Sequence, residues 1–345
     1  MPDEFSNEGN TLTQYLNIYD QLRRGSRYFD VRPTISNGGK YLTGHYSDID
    51  ILDIGWQGGN GESLQAIVDG INRFTAENPE LIIINLDLTL DTENGYKRFN
   101  DEQWSKTFDL FQGVTHLRGG LEGDLSEKKI NEYIGNGQAS VIIIASGGPV
   151  RPDKGIYSTR QFPRYDSYSN TDDIVAMAND QIAKLKGNRN IVANDAERKD
   201  VFHIFSWTLT LSRVFERTIA SQSIELAYDP LFWRAYHAFT PFSYPNVLYM
   251  DFIGSAEQQN GSRSFEKTTG EVTAMAMAVN MVIASQNCYV GGASIEIHKP
   301  PTPTPTPTVI PRSAAAKLPL HSPLISSSRY ITLLFSIIFW YFCLI

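Results

Sequence analysis

Residues Gln21–Pro33 read QLRRGSRYFDVRP, and this stretch decides the fold class. Aromatic and β-branched side chains crowd Ser26–Val31, which predicts a short strand. Because side chains alternate faces along a strand, Asp30 and Arg32 share one face while their apolar neighbours share the other. A carboxylate and a guanidinium therefore project together from the end of a strand whose other face can pack under helices.

The carboxyl end of that strand is a predicted catalytic position, because the chemistry of α/β barrels sits at the carboxyl ends of their strands. Arg32 offers a fixed fork of donors that suits a phosphate. His45, which follows in GHYSD, can deliver or remove a proton near neutral pH. The plainer interpretations are a salt bridge at a barrel rim for Asp30 and Arg32, and an exposed loop histidine for His45.

Strands and helices alternate along the chain, and several strands are almost continuously apolar, as in ELIIINLD, SVIIIAS and NVLYMDF. This alternation predicts a parallel sheet, either a barrel or a doubly wound sheet. The segment 146–172 has no clear period and is predicted as a long loop. Strands are predicted at 26–32, 80–87, 139–145, 201–206 and 246–252, and helices at 63–77, 102–114, 126–134, 173–186, 218–227 and 271–286.

RYFDVRP followed by GHY resembles the X region of phosphatidylinositol-specific phospholipase C, and it is more similar still to the metal-independent bacterial-type and fungal PLC-like phosphodiesterases. The resemblance covers most of residues 10–290. It implies a (β/α)8-type TIM barrel whose first strand is absent or replaced. It also implies a phosphoric diester hydrolase for an inositol phospholipid or a related phosphodiester. The other segments that carry it are WQGGNGESLQAIVDGINRF, ENPELIIINLDL, FHIFSWTLT, PNVLYMDFIG and AMAMAVNMVI.

The same resemblance assigns roles to four residues. It implies that His45 is the general acid for the leaving oxygen, that Arg32 stabilises charge on the phosphoryl group, and that Asp30 orients Arg32. Asp251, at the end of NVLYMD, matches the aspartate that orients a base histidine. In the family that histidine follows an earlier strand, and it has no counterpart here. The sequence therefore predicts that catalysis is impaired in this chain.

Asp87 and Trp207 are further candidates, because they end the strands IIINLD and FHIFSW and would lie at the barrel mouth, where they could hold an inositol ring. Rim packing or solvation are the alternatives for both, and Asp251 could instead cap a helix or bind a backbone amide. No metal and no cofactor are expected, since Arg32 supplies the positive charge that a metal would bring. The remaining histidines show no metal-ligand spacing; they are His116, His203, His237, His298 and His321.

Composition limits the partners. The 345-residue chain is 41% hydrophobic, which is enough for one large core, and its net charge is −8. No basic face is visible that could neutralise nucleic-acid phosphates, so no nucleic acid is expected. The implied substrate is a phosphoinositide or a related phosphodiester. The other readings are a non-catalytic surface barrel that binds lipid head groups or glycans, and a metal-dependent glycerophosphodiester phosphodiesterase, which would need clustered carboxylates around its histidines.

The C-terminus is a separate unit. Residues 1–298 are assigned to the barrel, and 299–312 form a stalk that contains KPPTPTPTPTV and favours extended polyproline conformation. Residues 313–345 end in ITLLFSIIFWYFCLI, which is short for a membrane span and has no basic residue after it. Small residues, a spacer and an apolar end are typical of a GPI-attachment signal. The alternative is a short tail anchor.

A GPI signal implies entry into the secretory pathway and a place at the cell surface, yet residues 1–20 contain no apolar signal-peptide core. That absence and the missing first strand together suggest that the sequence starts late. The sequon at Asn260 fits secretion. Cys288 either lacks its disulfide partner or is a buried thiol.

Overall fold

The computed structural model describes residues 11–49, 55–192, 194–210, 231–254 and 265–287. The predicted helix at 218–227, the Asn260 sequon, Cys288, the stalk and the tail lie outside these described residues. Within the described ranges, none of the helices combines the length and the apolar composition needed to span a bilayer.

Short strands alternate with helices through most of the described chain. The strands are β1 (Tyr28–Val31), β2 (Pro33–Ser36), β3 (Lys40–Ile49), β4 (Gly55–Ser63), β5 (Leu81–Leu86), β6 (Leu90–Asp91), β7 (Ser140–Ala145), β8 (Ile156–Ser158), β9 (Tyr165–Asp166), β10 (Arg189–Asn190), β11 (Lys199–Asp200), β12 (His203–Trp207) and β13 (Val247–Met250). The helices are α1 (Ile18–Arg23), α2 (Leu64–Thr75), α3 (Asp101–Phe111), α4 (Ile130–Tyr133), α5 (Ile174–Asn188), α6 (Leu231–Ala238) and α7 (Phe265–Asn287).

Two all-parallel arcs form the central sheet. One arc has the order β1-β5-β7-β8 and the other has the order β13-β12-β9. In the first arc Asp30 pairs with Asn85, and in the second Ser206 pairs with Tyr249. β1 and β13 are the end strands of their arcs, so each has a free edge in the described sheets. Among the described residues no strand pairs with either of these two edges.

Strand alternation separates the two faces of the sheet. Ile82, Ile84 and Leu86 of β5 point outward and pack under the helices, while the residues between them point inward. α2 begins after Ser63, whose side chain accepts the Ala66 N–H as an N-cap. The outer core joins β1, β5 and β7 to the apolar faces of α2 and α3; its helix residues include Leu64, Ile67, Val68, Ile71, Trp104, Phe108 and Phe111.

The inside of the sheet is closed at its amino end by a second apolar cluster. Ile142 and Ile144 of β7 lie there with Tyr157 of β8. Leu125 and Tyr133, from the segment between α3 and β7, pack against them from below. Because apolar side chains fill this end, polar side chains can meet only toward the carboxyl ends of the strands.

The segment GWQGGNGES at 55–63 is a strand, although its many glycines are typical of a turn. β4 pairs antiparallel with β3 from Ile49↔Gly55 to Leu42↔Ser63. β3 also pairs antiparallel with β2, so the three strands form a long ribbon with β3 in the middle. Glycine is depleted in strands, so composition pointed to a loop. Here glycine is required by close approach, because a Cβ on Gly58 would lie 2.2 Å from the His45 carbonyl oxygen.

The long loop predicted at 146–172 contains β8 and β9 and two short 3-10 helices, Pro152–Lys154 and Thr159–Gln161. These strands have three and two residues, too few to show a hydrophobic period. β9 nevertheless completes one arc by pairing with β12, and it carries polar residues into the interior.

Candidate active site

Asp30 is the hub of a buried hydrogen-bond network. Arg32 Nε donates to Asp30 Oδ2 at 3.2 Å, and Asn85 Nδ2 donates to Oδ1 at 2.9 Å. The hydroxyl of Tyr249 donates to Oδ2 at 3.4 Å from the other arc. Burial opposes the charge on Arg32, but Asp30 outweighs it and raises the pKa of the guanidinium above its ordinary value. The site therefore holds a permanent cation whose orientation is fixed by Asp30.

His45 reaches the same site from the ribbon. It lies on β3, and its Nδ1 is 2.9 Å from the carbonyl oxygen of Thr11. A carbonyl can only accept, so this contact assigns the proton to Nδ1 and leaves Nε2 as the nitrogen for proton exchange. Burial and the nearby charge of Arg32 lower the pKa of His45 below its ordinary value. Once protonated, His45 is accordingly a strong donor.

Asp251 immediately follows β13 and faces Arg32 and Asp30 across the gap between the two arcs. Burial raises its pKa to about 7, against the opposing effect of Arg32. Tyr249, two residues earlier, lies beside it, and burial raises the pKa of that phenol as well. Near neutral pH, Asp251 is thus a carboxyl group that exists in both protonation states.

A single cavity of about 1140 Å³ joins these side chains. Asp30, Arg32, His45 and Asp251 all line it. It also runs along the gap between β1 and β13 down to Phe202 near the amino ends of the strands. The four residues predicted as catalytic therefore share one accessible space.

The two predicted substrate-binding residues have different positions. Trp207 is 5% exposed and packs with Met177 and Leu185 of α5, on the helix side of β12. Its prediction as a ring-binding residue is corrected, because strand parity turns it outward. Asp87 follows β5, accepts the Leu88 N–H at 2.7 Å and is not among the residues that line the cavity. Its role in binding stays a prediction.

Sequence reasoning missed a second guanidinium in the interior. Arg164 precedes β9, and its Nη2 donates to Asn85 Oδ1 at 2.9 Å. Its Nε lies 3.9 Å from Asp166 Oδ2 and has no hydrogen-bond partner, although the side chain is only 10% exposed. Asn85 thus links Arg164 to Asp30. The one sequence signal was the charged triplet RYD inside an aperiodic segment.

No group of three or more His, Cys, Asp or Glu side chains within the described ranges is arranged to hold a metal ion. The expectation that the chemistry needs no metal or cofactor stays a prediction. What the described site offers instead is the charge of Arg32 in a position to neutralise a phosphoryl oxygen.

No protein-family model and no curated protein sequence matches this chain. Solved structures do match. Phosphatidylinositol-specific phospholipase C from Staphylococcus aureus aligns with a TM-score of 0.50 and 12% identity, over 79% of this chain and 87% of that one. A single-substitution mutant of the same enzyme aligns with a TM-score of 0.50 and 13% identity, over 79% and 86% of the two chains.

The chain has the fold of phosphatidylinositol-specific phospholipase C. The predicted (β/α)8-type barrel is thereby confirmed as its fold class. Within this phospholipase C fold, Asp30 on β1, Asn85 on β5 and Asp251 after β13 come together at the carboxyl ends of parallel strands. At 12–13% identity the likeness establishes the fold alone, so the chemistry must be argued from this chain's own side chains.

Proposed function

We propose that this protein is a phosphoric diester hydrolase that cleaves an inositol phospholipid or a closely related phosphodiester. The observation that carries the proposal is the buried Arg32–Asp30 pair, which shares one cavity with His45. A fixed cation and a titratable imidazole are the groups that a phosphodiester transition state requires.

Each group has a chemical task in this proposal. Arg32 binds a non-bridging phosphoryl oxygen and neutralises the charge that grows there, while Asp30 keeps the guanidinium in place. The Nε2 of His45 gives a proton to the leaving oxygen, because Nδ1 is already engaged by Thr11. A strand end and a ribbon position these groups, so little reorganisation is needed when the substrate arrives.

The inner side of the site supports a head group rich in hydroxyls. Arg164 has a buried Nε without a hydrogen-bond partner, and its Nη2 is held by Asn85. Tyr168 and Tyr249 pack edge to face with ring centroids 6.0 Å apart near Asp30. Donors on one side and aromatic rings on the other suit a polyhydroxylated ring such as inositol.

Binding without cleavage is the second candidate. His45 is the one histidine among the described residues that line the cavity, so no second imidazole faces it there. A barrel that keeps Arg32 and Arg164 but lacks a base would still hold a phosphorylated head group at a cell surface. Cleavage of a phosphodiester substrate would favour the first candidate, and binding without cleavage would favour the second.

We also propose that the C-terminal segment takes the protein to a membrane surface. The Pro/Thr stalk at 299–312 and the apolar end of 313–345 have the composition of a spacer followed by a GPI-attachment signal. A GPI anchor would hold the barrel at the outer surface of the cell membrane.

Hydrolysis of a defined lipid tests the proposal. The full chain in detergent is mixed with micelles that contain phosphatidylinositol, and phosphorus NMR follows cyclic and open inositol phosphates. We expect slow but measurable product, and a fall of about 10²–10³-fold for Arg32→Lys, which keeps the charge but loses the fork. Arg160→Lys, at an exposed position, is the matched control. Head-group binding without any product would favour the second candidate.

A further inference from the structure

Asp251 differs from the other carboxylates of the site in having no described partner. No hydrogen bond or ion pair engages its carboxyl group among the described residues, although it lines the cavity with Arg32 and His45. It is partly exposed, so the carboxyl group is accessible from the cavity.

The other acidic groups of the site are already committed. Asp30 accepts hydrogen bonds from Arg32, Asn85 and Tyr249, which stabilise its charged form and weaken it as a proton acceptor. Asp166 lies beside the guanidinium of Arg164. Glu62 and Glu80 also line the cavity, but Glu62 accepts the Ile18 N–H and Glu80 accepts from Arg27. Among the described carboxylates that line the cavity, Asp251 is therefore the one left for proton transfer.

From this geometry we propose that Asp251 is itself the general base of the reaction, rather than a residue that orients a base. This inference rests on the proposed function. The carboxylate of Asp251 takes the proton from the substrate hydroxyl next to the phosphodiester, and that oxygen forms a new bond to phosphorus. The bond from phosphorus to the leaving oxygen breaks as His45 gives that oxygen a proton. The products are a cyclic phosphodiester and an alcohol, and solvent then returns both groups to their starting protonation states.

The electrostatic surroundings agree with this assignment. Burial raises the pKa of Asp251 to about 7; Arg32 opposes that rise and Asp30 adds to it. Tyr249 is the other titratable group beside it. A base with a pKa near the working pH combines availability with driving force. The reaction requires Asp251 to be ionised and His45 to be protonated at the same time. Because the pKa of His45 is lowered, only a small fraction of the protein is in that protonation state. The rate should therefore peak on the acidic side of pH 7.

Two substrates with different leaving groups test the assignment on the full chain in detergent. One releases a simple alcohol, as phosphatidylinositol does, and the other is 4-nitrophenyl inositol phosphate, whose leaving group needs no protonation. We expect Asp251→Asn to lower kcat about 10²–10⁴-fold on both substrates, because the attacking hydroxyl is the same. His45→Ala should show that loss with the lipid and recover most of it with the aryl substrate. Asp69→Asn, on the exposed side of α2, is the matched control.

The pH profile supplies a readout that a purely structural role would not move. The intact chain should give a bell-shaped profile, and Asp251→Asn should lose one limb while Asp251→Glu keeps both. If Asp251→Asn stays within about fivefold of the intact chain, or if the aryl substrate rescues it as it rescues His45→Ala, the assignment is overturned. If the intact chain cleaves neither substrate, the proposed function itself fails. If the intact chain is active and Asp251→Asn is equally active, only the assignment of the base fails.

Discussion

At the scale of single residues, Asp30 does more than orient one arginine. Its two carboxylate oxygens accept from Arg32 directly after β1, from Asn85 on β5 and from Tyr249 on β13. Because Tyr249 belongs to the other arc, this carboxylate also bridges the gap between the arcs. Removing it would leave the charge of Arg32 buried without its counter-ion, which is costly for both stability and catalysis.

His203 is a buried residue outside the site that makes the free energy of unfolding depend on pH. It is fully buried, its ring stacks on Tyr165 at 5.1 Å, and neither ring nitrogen has a hydrogen-bond partner. Burial and the nearby charge of Arg189 lower its pKa to about 4. In the unfolded chain His203 binds a proton below about pH 6.5, whereas in the folded chain it stays neutral down to about pH 4. Protonation therefore favours the unfolded chain, and the free energy of unfolding is unaffected by His203 only above about pH 6.5. As the pH falls from about 6.5 to 4, the free energy of unfolding decreases by about 3 kcal/mol in all because of this residue.

We expect the free energy of unfolding to fall more steeply from pH 7.5 to pH 5 in the intact chain than in His203→Phe, which keeps the stacked ring but cannot titrate. Urea unfolding at the two pH values measures the difference. His237→Phe, at an exposed position on α6, should retain the slope of the intact chain. Equal slopes in all three proteins would show that His203 is not the group responsible.

At the scale of elements, the ribbon of β2, β3 and β4 is the addition that positions the proton donor. β3 and β4 pair over most of their length, so His45 is held by the backbone of β4 as well as by Thr11. Gly59 pairs directly with His45, and Gly58 pairs with Tyr46. A Cβ on Gly58 would collide with the backbone of β3, so the two strands can approach this closely only because Gly58 lacks a side chain.

Substitution of Gly58 tests this role. A Cβ there would meet the His45 carbonyl oxygen at 2.2 Å, so Gly58→Ala should push β4 away and displace the imidazole. Because displacement by about 1 Å from the reactive geometry costs around 10²-fold, we expect a loss of that order in kcat with little change in melting temperature. Gly187→Ala on α5 meets nothing within 4 Å and serves as the control. Unchanged activity in Gly58→Ala would mean that the ribbon does not position His45.

At the scale of the whole molecule, the two arcs are tied together across their free edges by the chain segment before α1. Phe252 N–H donates to the Thr13 carbonyl at 2.8 Å, and Gln14 Nε2 donates to the Met250 carbonyl at 3.1 Å. Thr273 of α7 donates from its hydroxyl to the Arg24 carbonyl at 2.7 Å. These contacts hold β13 near β1, although the described residues place no strand between them.

The C-terminal segment makes a prediction at the same scale. When the full chain is expressed behind a secretion signal, we expect it on the outer surface of cells, attached by a GPI anchor. Treatment of membranes with a GPI-cleaving phospholipase should release it, and an epitope placed after Ile331 should already be absent. A version that ends at residue 330 is the control and should not be attached. Protein that stays bound and keeps the epitope would identify the tail as a true membrane anchor.

The features of this protein that follow from local periodicity could be predicted from its amino-acid sequence. The apolar runs of β5, β7 and β13, the helical spacing of α2 and the shared face of Asp30 and Arg32 are all properties of neighbouring residues. Such patterns specify which face is buried whatever the rest of the chain does. These local patterns, together with the resemblance carried by RYFDVRP and GHY, were sufficient to predict the barrel fold and the four residues that line the cavity.

Which distant side chains meet, and how strongly they are desolvated, depends on the folded arrangement of the strands. Arg164 reaches the site because the two-residue strand β9 joins an arc, and two residues are too short for any periodicity. Trp207 faces the helices because the register of β12 places it there. The pKa of Asp251 rises because β13 places it between two arcs, where the surrounding protein partly desolvates it. Through-space approach and burial depend on how the sheet closes, and no local stretch of sequence encodes that.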